Sequence, residues 1–169
     1  MNERIEFYQK MLKLSRSLHE IYPEINADTH EKFLEELLEK MYLERLEKQR
    51  LRNLKAAGFG VQKSLEDYCF NDIQFPERIG RDALLDLHFL ENKENLILYG
   101  SVGTGKTHLA IGLGVNAINQ GKKAVFYRVH DLIQLLEESK GRKLVALYKR
   151  IDDAELLILD EWGYLPLHQ

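Results

Sequence analysis

The sequence predicts an α/β fold in which a helical N-terminal region precedes a core with a parallel sheet. Three observations predict this fold. The N-terminal third is charge-dense and carries its apolar residues at helical spacing. In the second half, short strands bare of polar residues alternate with helices, which is typical of a parallel sheet covered on both faces. A glycine-rich turn joins the first of these strands to a helix.

The composition excludes several classes of protein. Of the 169 residues, 44% are hydrophobic and 30% are charged, which excludes fibrous and wholly disordered chains. The net charge of -3 gives no whole-chain signal for nucleic acid, and the single cysteine, Cys69, excludes an intramolecular disulfide. No apolar run approaches the ~20 residues of a membrane span, and the first residues lack the apolar core of a signal peptide. We therefore expect a cytoplasmic protein that does not contact membranes.

In the N-terminal region we predict two helices that form a hairpin. The apolar residues of the first helix keep helical spacing as far as Leu18, and Pro23 ends it. Asp28 or Thr29 can cap the second helix. Gly58 stands where the second helix would stop.

The second predicted helix is strongly basic between residues 45 and 55. Five cations and one anion, Glu47, give this segment a net charge of +4. Such a surface can neutralise the phosphates of duplex DNA. The alternative is a solvated helix end, whose cations interact favourably with the negative end of the helix dipole. The candidate DNA-contacting residues are Arg45, Lys48, Arg50, Arg52 and Lys55.

The rest of the sequence predicts a linker and then the α/β core. In chain order, the predicted elements are a helix over 78–90, a strand over 96–99, a helix over 107–120, a strand over 124–127, helices over 131–139 and 143–151, and a strand over 156–159. The predicted organisation is a helical N-terminal region over 1–60, a linker and entry helix over 61–95, and an α/β domain over 96–169.

The turn after the first predicted strand matches the phosphate-binding motif G-x-x-x-x-G-K-[ST] at every fixed position. Its glycines let backbone N–H groups curl around a phosphate at a helix N-terminus. Lys106 would reach the β and γ phosphates, and Thr107 would place its hydroxyl on Mg²⁺. His108 follows directly; we include it in the nucleotide-binding segment, and packing is the alternative role for its side chain. The segment consists of Gly100, Ser101, Val102, Gly103, Thr104, Gly105, Lys106, Thr107 and His108.

The third predicted strand runs into two carboxylates, Asp160 and Glu161. We expect Asp160 to hold Mg²⁺ and Glu161 to orient or deprotonate the attacking water, so that Lys106 and Glu161 are the candidate catalytic residues. The alternative is that the two carboxylates only cap the next loop. The predicted cofactors are ATP and Mg²⁺. For the groups that contact adenine, residues 70–76 are a hypothesis.

Three segments together carry a family resemblance: residues 64–70 (SLEDYCF), 102–110 (VGTGKTHLA) and 160–167 (DEWGYLPL). They resemble the IstB family of insertion-sequence transposition helper proteins, which are AAA+ ATPases similar to the bacterial helicase loader DnaC. The resemblance implies a P-loop NTPase fold of the AAA+ type with a parallel three-layer core. It also implies binding of ATP with Mg²⁺, self-association on duplex DNA through the N-terminal helices, and a partner transposase.

The sequence departs from the AAA+ pattern after the acidic strand. That pattern continues with a fourth strand carrying a polar sensor, a fifth strand, an arginine that completes a neighbour's site and usually a helical lid, whereas this sequence ends at Gln169. We therefore expect a core that is incomplete at its C-terminus. Three interpretations are open: a fragment, a truncated gene product, or direct pairing of the first predicted strand with the third. From the missing sensor and arginine we expect weak nucleotide binding and negligible turnover.

The leading functional hypothesis is an ATP-binding helper protein that acts on DNA in insertion-sequence transposition, with ATP hydrolysis in the complete family architecture. One alternative is a DnaC-like loader in DNA replication, in which the N-terminal helices bind a partner helicase instead of duplex DNA. Another alternative is a non-enzymatic remnant that makes only helical contacts.

Overall fold

The structure is a computed structural model that describes residues 3–61, 63–66, 68–71, 73–76 and 79–162. The chain divides into two compact units, Met1–Leu51 and Arg52–Gln169. The helices are α1 (Glu3–Met11), α2 (Leu18–Ile21), α3 (His30–Ala56), α4 (Arg81–Leu85), α5 (His88–Glu91), α6 (Lys106–Asn119), α7 (Val129–Glu138) and α8 (Arg142–Asp152), with a 3₁₀ turn over Tyr22–Glu24. The strands are β1 (Ala124–Arg128) and β2 (Leu156–Asp160). Within the described ranges, no helix has the length and apolar character needed to cross a membrane.

The first unit begins with a helix that is shorter than the sequence predicts. α1 ends at Met11, and Lys13 adopts a left-handed backbone conformation with a φ of 53°. A left-handed residue cannot continue a right-handed helix, so the prediction of one helix as far as Leu18 is wrong. The prediction of a cap on the second helix is confirmed for Thr29, whose hydroxyl oxygen accepts a hydrogen bond from the backbone N–H of Lys32 at 3.2 Å.

Glu44 ties the segment after α1 to the middle of α3. Ser15 Oγ donates to Glu44 Oε2 at 2.7 Å, and Ser17 Oγ donates to the same oxygen. Lys48, one turn further along α3, donates to the other carboxylate oxygen. The hydrogen bond from Lys48 and those from the two serines lower the pKa of Glu44 from 4.5 to about 2. The charged carboxylate is therefore a structural group of the first unit.

The second unit contains a two-stranded parallel sheet. β1 pairs with β2 in a register that sets Ala124 beside Leu156 and Arg128 beside Asp160. This pairing confirms the predicted strands over 124–127 and 156–159. Because the strands run in the same direction, their carboxyl ends meet at one edge of the sheet. The helices predicted over 107–120, 131–139 and 143–151 are also confirmed, as α6, α7 and α8.

Residues 96–99 do not form a strand. They have no regular secondary structure, and Ile97 and Tyr99 are 81% and 89% exposed. An apolar run becomes a strand only where a neighbouring strand pairs with its backbone N–H and C=O groups, and neither β1 nor β2 does so. The prediction of a strand here is wrong, and so is the interpretation in which it pairs directly with the third predicted strand.

The helix predicted over 78–90 is interrupted, and residue 78 lies outside the described residues. α4 and α5 are separated at Leu87, which has a φ of 62° and a fully buried side chain. Leu87 belongs to a core cluster with Leu84, Phe89 and Leu113. Burying a leucine stabilises a fold by about 1.5–3 kcal/mol, which offsets the ~1–2 kcal/mol cost of a left-handed residue. Packing therefore overrides helix continuity, and the prediction of one helix is wrong.

The C-terminal end of α3 is held by β1 and α8. Phe126 N–H donates to the carbonyl of Ala57 at 2.7 Å, and Arg150 Nη2 donates to the carbonyl of Ala56 at 2.6 Å. Two carbonyl groups that the helix end leaves without an intrahelical partner are thus satisfied. Gly58, with a φ of 82°, directs the chain away from the helix axis, which confirms the predicted stop.

Helix α6 lies close to its neighbours because two of its residues are glycines. A Cβ atom on Gly112 would come within 2.2 Å of Leu65 Cδ2. One on Gly114 would come within 2.6 Å of Phe59 Cζ and 2.9 Å of Ile158 Cδ1. These distances are too short for non-bonded carbon atoms, so alanine at either position would force the facing side chains of Leu65, Phe59 or Ile158 to move.

We predict that Glu44→Gln lowers the free energy of unfolding of the first unit by about 1–2 kcal/mol at neutral pH, because it weakens hydrogen bonds to a charged group. The native pKa of about 2 lies below the ordinary value of 4.5. The stabilisation is therefore full above pH 4.5 and is lost as the pH falls toward 2. Urea unfolding at several pH values measures it. Glu35→Gln, an exposed carboxylate of the same helix, is the control, and equal losses for both variants would contradict the prediction.

Candidate functional site

The phosphate-binding motif forms a loop between residues 96–99 and α6. Gly103 and Gly105 both have a φ of 82°, and Gly100 has a φ of 146°. Residues with a Cβ rarely adopt these conformations. At Gly105 a second constraint applies, because an added Cβ would lie 3.1 Å from Tyr68 Oη. The glycines of the motif are thus required by the backbone path, as the sequence predicts.

Lys106 folds over the loop that precedes it. Its Nζ donates to the carbonyl oxygens of Gly100 at 2.9 Å and Ser101 at 2.7 Å, and to Thr104 Oγ1 at 3.4 Å. Thr104 Oγ1 in turn donates to the Ser101 carbonyl at 2.9 Å. The ammonium group therefore lies directly above the curled backbone of the loop.

Thr107 and Asp160 meet across the site. Thr107 Oγ1 donates to Asp160 Oδ2 at 2.9 Å and lies 3.2 Å from Oδ1. The hydroxyl stands in the first turn of α6 and the carboxylate at the carboxyl end of β2. Mg²⁺ binds oxygen ligands at about 2.0–2.1 Å in an octahedron, which sets adjacent ligand oxygens about 3 Å apart. This hydroxyl and carboxylate have the donor chemistry and the separation that a magnesium site needs.

Glu161 follows Asp160 and turns away from the sheet with a φ of 58°. Its Oε1 lies 3.8 Å from Nε of Arg128, the last residue of β1. The Arg128 side chain is 59% exposed and the Glu161 side chain 50%, so the ion pair is solvated. The sequence gives no signal for Arg128; only the register of β1 on β2 brings it beside the acidic pair.

His108 and Tyr68 connect the start of α6 to the segment before α4. His108 Nε2 lies 2.7 Å from the Ser64 carbonyl oxygen, and its ring packs edge to face on Tyr68 with centroids 5.1 Å apart. Tyr68 Oη donates to the Gly105 carbonyl at 3.4 Å, and burial raises the pKa of the phenol. The sequence includes His108 in the nucleotide-binding segment; the structure places its ring against these two residues. The roles of Ser64 and Tyr68 are not predicted from the sequence.

A cleft of about 240 Å³ opens beside the phosphate loop. One wall comes from residues 73 and 74, within the segment that the sequence suggests for adenine, and another from residues 97–99. The floor of the cleft reaches the loop itself. Its lining residues are Tyr68, Ile73, Gln74, Ile97, Leu98, Tyr99, Gly100, Thr104, Lys106 and Leu109.

The candidate DNA-contacting residues all lie on α3, and they differ in their surroundings. Arg50 donates from Nε and Nη2 to the carboxylate of Glu47, with both distances 2.7 Å. Lys48 pairs with Glu44. Arg45, Arg52 and Lys55 are exposed.

Comparison with known proteins identifies the family. The chain matches the family described as IstB-like ATP binding protein over residues 11–169. The chain belongs to this family. The match confirms both the resemblance seen in the sequence and the α/β P-loop fold class. Residues 163–167, which contribute to that resemblance, lie outside the described residues.

Individual relatives come from insertion sequences. The chain is 40% identical over 120 residues to the predicted ATP-binding protein of IS21 from Pseudomonas aeruginosa, covering 69% of this chain and 44% of that protein. It is 36% identical over 118 residues to that of IS232 from Bacillus thuringiensis subsp. berliner, covering 68% and 46%. It is 33% identical over 173 residues to that of IS5376 from Geobacillus stearothermophilus, covering 99% and 69%. The chain thus spans about half the length of the first two relatives.

Proposed function

We propose that this chain binds ATP with Mg²⁺ and serves as an ATP-binding helper in the transposition of an insertion sequence. The observation that carries the proposal is the contact of Thr107 Oγ1 with Asp160 Oδ2 at 2.9 Å, beside a phosphate loop whose Lys106 ammonium lies over the backbone. A hydroxyl and a carboxylate from two separate elements meet where the family motif calls for a magnesium ion. The names of the relatives, all ATP-binding proteins of insertion sequences, support the setting.

In this proposal each residue of the site has a distinct role. The backbone N–H groups of residues 100–105 and of the first turn of α6 bind phosphate oxygens. Lys106 neutralises the β and γ phosphates as a compact charge. Thr107 and Asp160 would hold Mg²⁺, which supplies charge neutralisation for the triphosphate when bound.

We propose hydrolysis of ATP to ADP and phosphate as the reaction of this site in the complete family architecture, with only slow turnover by this chain alone. Glu161 accepts a proton from a water molecule whose oxygen forms a bond to the γ-phosphorus, while the bond from that phosphorus to the β–γ bridging oxygen breaks. The exposed position of Glu161, one residue beyond the Asp160 carboxylate, supports this role. Its ion pair with Arg128 is solvated, so the carboxylate can exchange that partner for a water molecule.

We further propose that α3 contacts duplex DNA. At about 100° per residue, helical periodicity puts Arg45, Arg52 and Lys55 on the same side of a helix as Lys48, and Arg50 on the opposite side. Exposed cations at this spacing suit the phosphates along a duplex. Contact with a partner transposase and self-association on DNA belong to the same proposal. The insertion-sequence names of the relatives favour this over helicase loading.

The first prediction concerns nucleotide binding. At a concentration about 100-fold above its dissociation constant, ATP with Mg²⁺ should raise the free energy of unfolding by about 2.7 kcal/mol. Lys106→Ala should abolish this gain. Asp160→Asn should abolish only the share of this stabilisation that depends on Mg²⁺. Thermal melting with and without Mg²⁺ measures both effects, with Asp153→Asn, an exposed carboxylate paired with Lys123, as the control.

If ATP gives Lys106→Ala the same stabilisation as the unsubstituted chain, or gives neither any, ATP binding at this loop is disproved. A chain without nucleotide affinity that still associates with intact relatives would favour the non-enzymatic alternative.

The second prediction concerns the chemical step. Turnover above a Lys106→Ala background should be small, and Glu161→Gln should reduce it to that background while keeping ATP affinity within about twofold, because general-base catalysis is worth about 10²–10⁴. Release of phosphate under saturating ATP measures it. Glu137→Gln, an exposed carboxylate on α7, is the matched control. Turnover by Glu161→Gln equal to that of the control would rule out the assigned role.

The third prediction concerns DNA. Replacing Arg45 and Lys55 together by alanine should weaken duplex binding and reduce the slope of log affinity against log salt by about 1.8, because each phosphate contact contributes about 0.9. Arg50→Ala should have a smaller effect, since Glu47 already neutralises that guanidinium. Binding titrations at several salt concentrations test this. Lys32→Ala combined with Lys122→Ala removes two cations outside residues 45–55, and an equal loss there would refute a specific role for the segment.

A further inference from the structure

The cleft beside the phosphate loop contains a side chain that can distinguish one nucleobase from another. The loop binds phosphate oxygens, which are the same in every nucleoside triphosphate. The cleft adjoins it through Gly100, Thr104 and Lys106 and extends to Gln74. A nucleotide whose phosphates lie on the loop can therefore place its base in this cleft. Its walls combine apolar and polar groups, and the exposed ring of Tyr99 is available for stacking on a base.

Gln74 brings to this cleft a side-chain amide, which sets one acceptor oxygen beside one donor nitrogen. Adenine presents a matching pair at one edge, the N6 amino donor beside the N7 acceptor. Guanine presents two acceptors there, O6 and N7. An amide at that edge makes two hydrogen bonds with adenine and leaves guanine poorly matched, whereas arginine or lysine prefers guanine.

The two neighbours of Gln74 along the chain, Ile73 and Phe75, are partly buried against a core cluster. Phe70 is buried in the core cluster, with the Arg81 guanidinium 4.7 Å from its ring centroid, and Ile73 N–H donates to the Phe70 carbonyl at 3.1 Å. Tyr68, two residues before Phe70, contacts the phosphate loop and the His108 ring. These contacts hold the backbone next to Gln74 close to the loop, which lowers the entropy cost of ordering this segment around a base.

We propose that Gln74 is the residue that selects adenine over guanine, by hydrogen bonding to the N6 and N7 edge of the base. The inference rests on the proposed function, since it assumes that a nucleoside triphosphate occupies the loop. Gln74 is exposed, so its substitution leaves the core intact.

The experiment measures dissociation constants for ATP and GTP, each with Mg²⁺, on the 169-residue chain and four variants. The unsubstituted chain should bind ATP about tenfold more tightly than GTP, because one bidentate contact between an amide and a base edge discriminates by about that factor. Gln74→Ala should weaken ATP binding about tenfold and leave GTP binding within about twofold. Gln74→Arg should reverse the preference toward GTP. Gln120→Ala, at the far end of α6, is the matched control and should keep the original ratio.

Equal affinity for ATP and GTP in the unsubstituted chain overturns the inference, and so does an unchanged ratio in both Gln74 variants. Lys106→Ala distinguishes this failure from failure of the proposed function. Binding that depends on Lys106 with an unaltered base ratio removes only the role of Gln74. Binding that ignores Lys106, or no binding of either nucleotide, removes both.

Discussion

Helix α6 packs against β2, and the geometry of the site depends on that contact because the helix and the strand each carry one of its side chains. Gly114 faces Ile158 in the middle of β2, where an added Cβ would lie 2.9 Å from Cδ1. The same helix begins at the phosphate loop, and the same strand ends at Asp160. Moving the helix away from the strand would also separate Thr107 from the carboxylate, since a packed interior transmits such shifts. The 2.9 Å contact between them thus depends on the packing of α6 on β2.

Much of the second unit could be predicted from the sequence because its elements carry strong local signals. α6, α7 and α8 have helical periodicity, and β1 and β2 are short apolar runs between them. The wrong predictions fall where tertiary contacts override local pattern. Residues 96–99 have the apolar character of a strand without a pairing partner. The helix over 78–90 breaks because Leu87 gains more from burial than from helical geometry. The first helix stops at Met11, before the serines that donate to Glu44.

In the candidate site, too, the sequence predicts the residues of contiguous motifs and misses the residues that only the fold brings together. The phosphate loop and the acidic pair are contiguous motifs whose spacing is visible in a single chain. The contacts of His108 with Ser64 and Tyr68 join residues about 40 positions apart along the chain, and no periodicity or spacing marks them. Arg128 reaches Glu161 only through the register of two parallel strands. Sequence motifs identify groups that bind the common part of a ligand, whereas the groups around them are brought together by the fold.

The phosphates and the base of a nucleotide would be recognised by different groups of the site. In the proposed function, phosphate affinity would come from backbone N–H groups and one ammonium, which are insensitive to the base. Selectivity must therefore come from side chains outside the loop, and it requires them to be held in place before the ligand arrives, because a mobile amide would lose in ordering entropy what it gains in hydrogen bonding. The edge-to-face packing of Tyr68 on His108 attaches the neighbouring segment to the helix that follows the loop. His108 thereby holds Tyr68, which lines the cleft, while the His108 side chain itself contacts Ser64 and Tyr68.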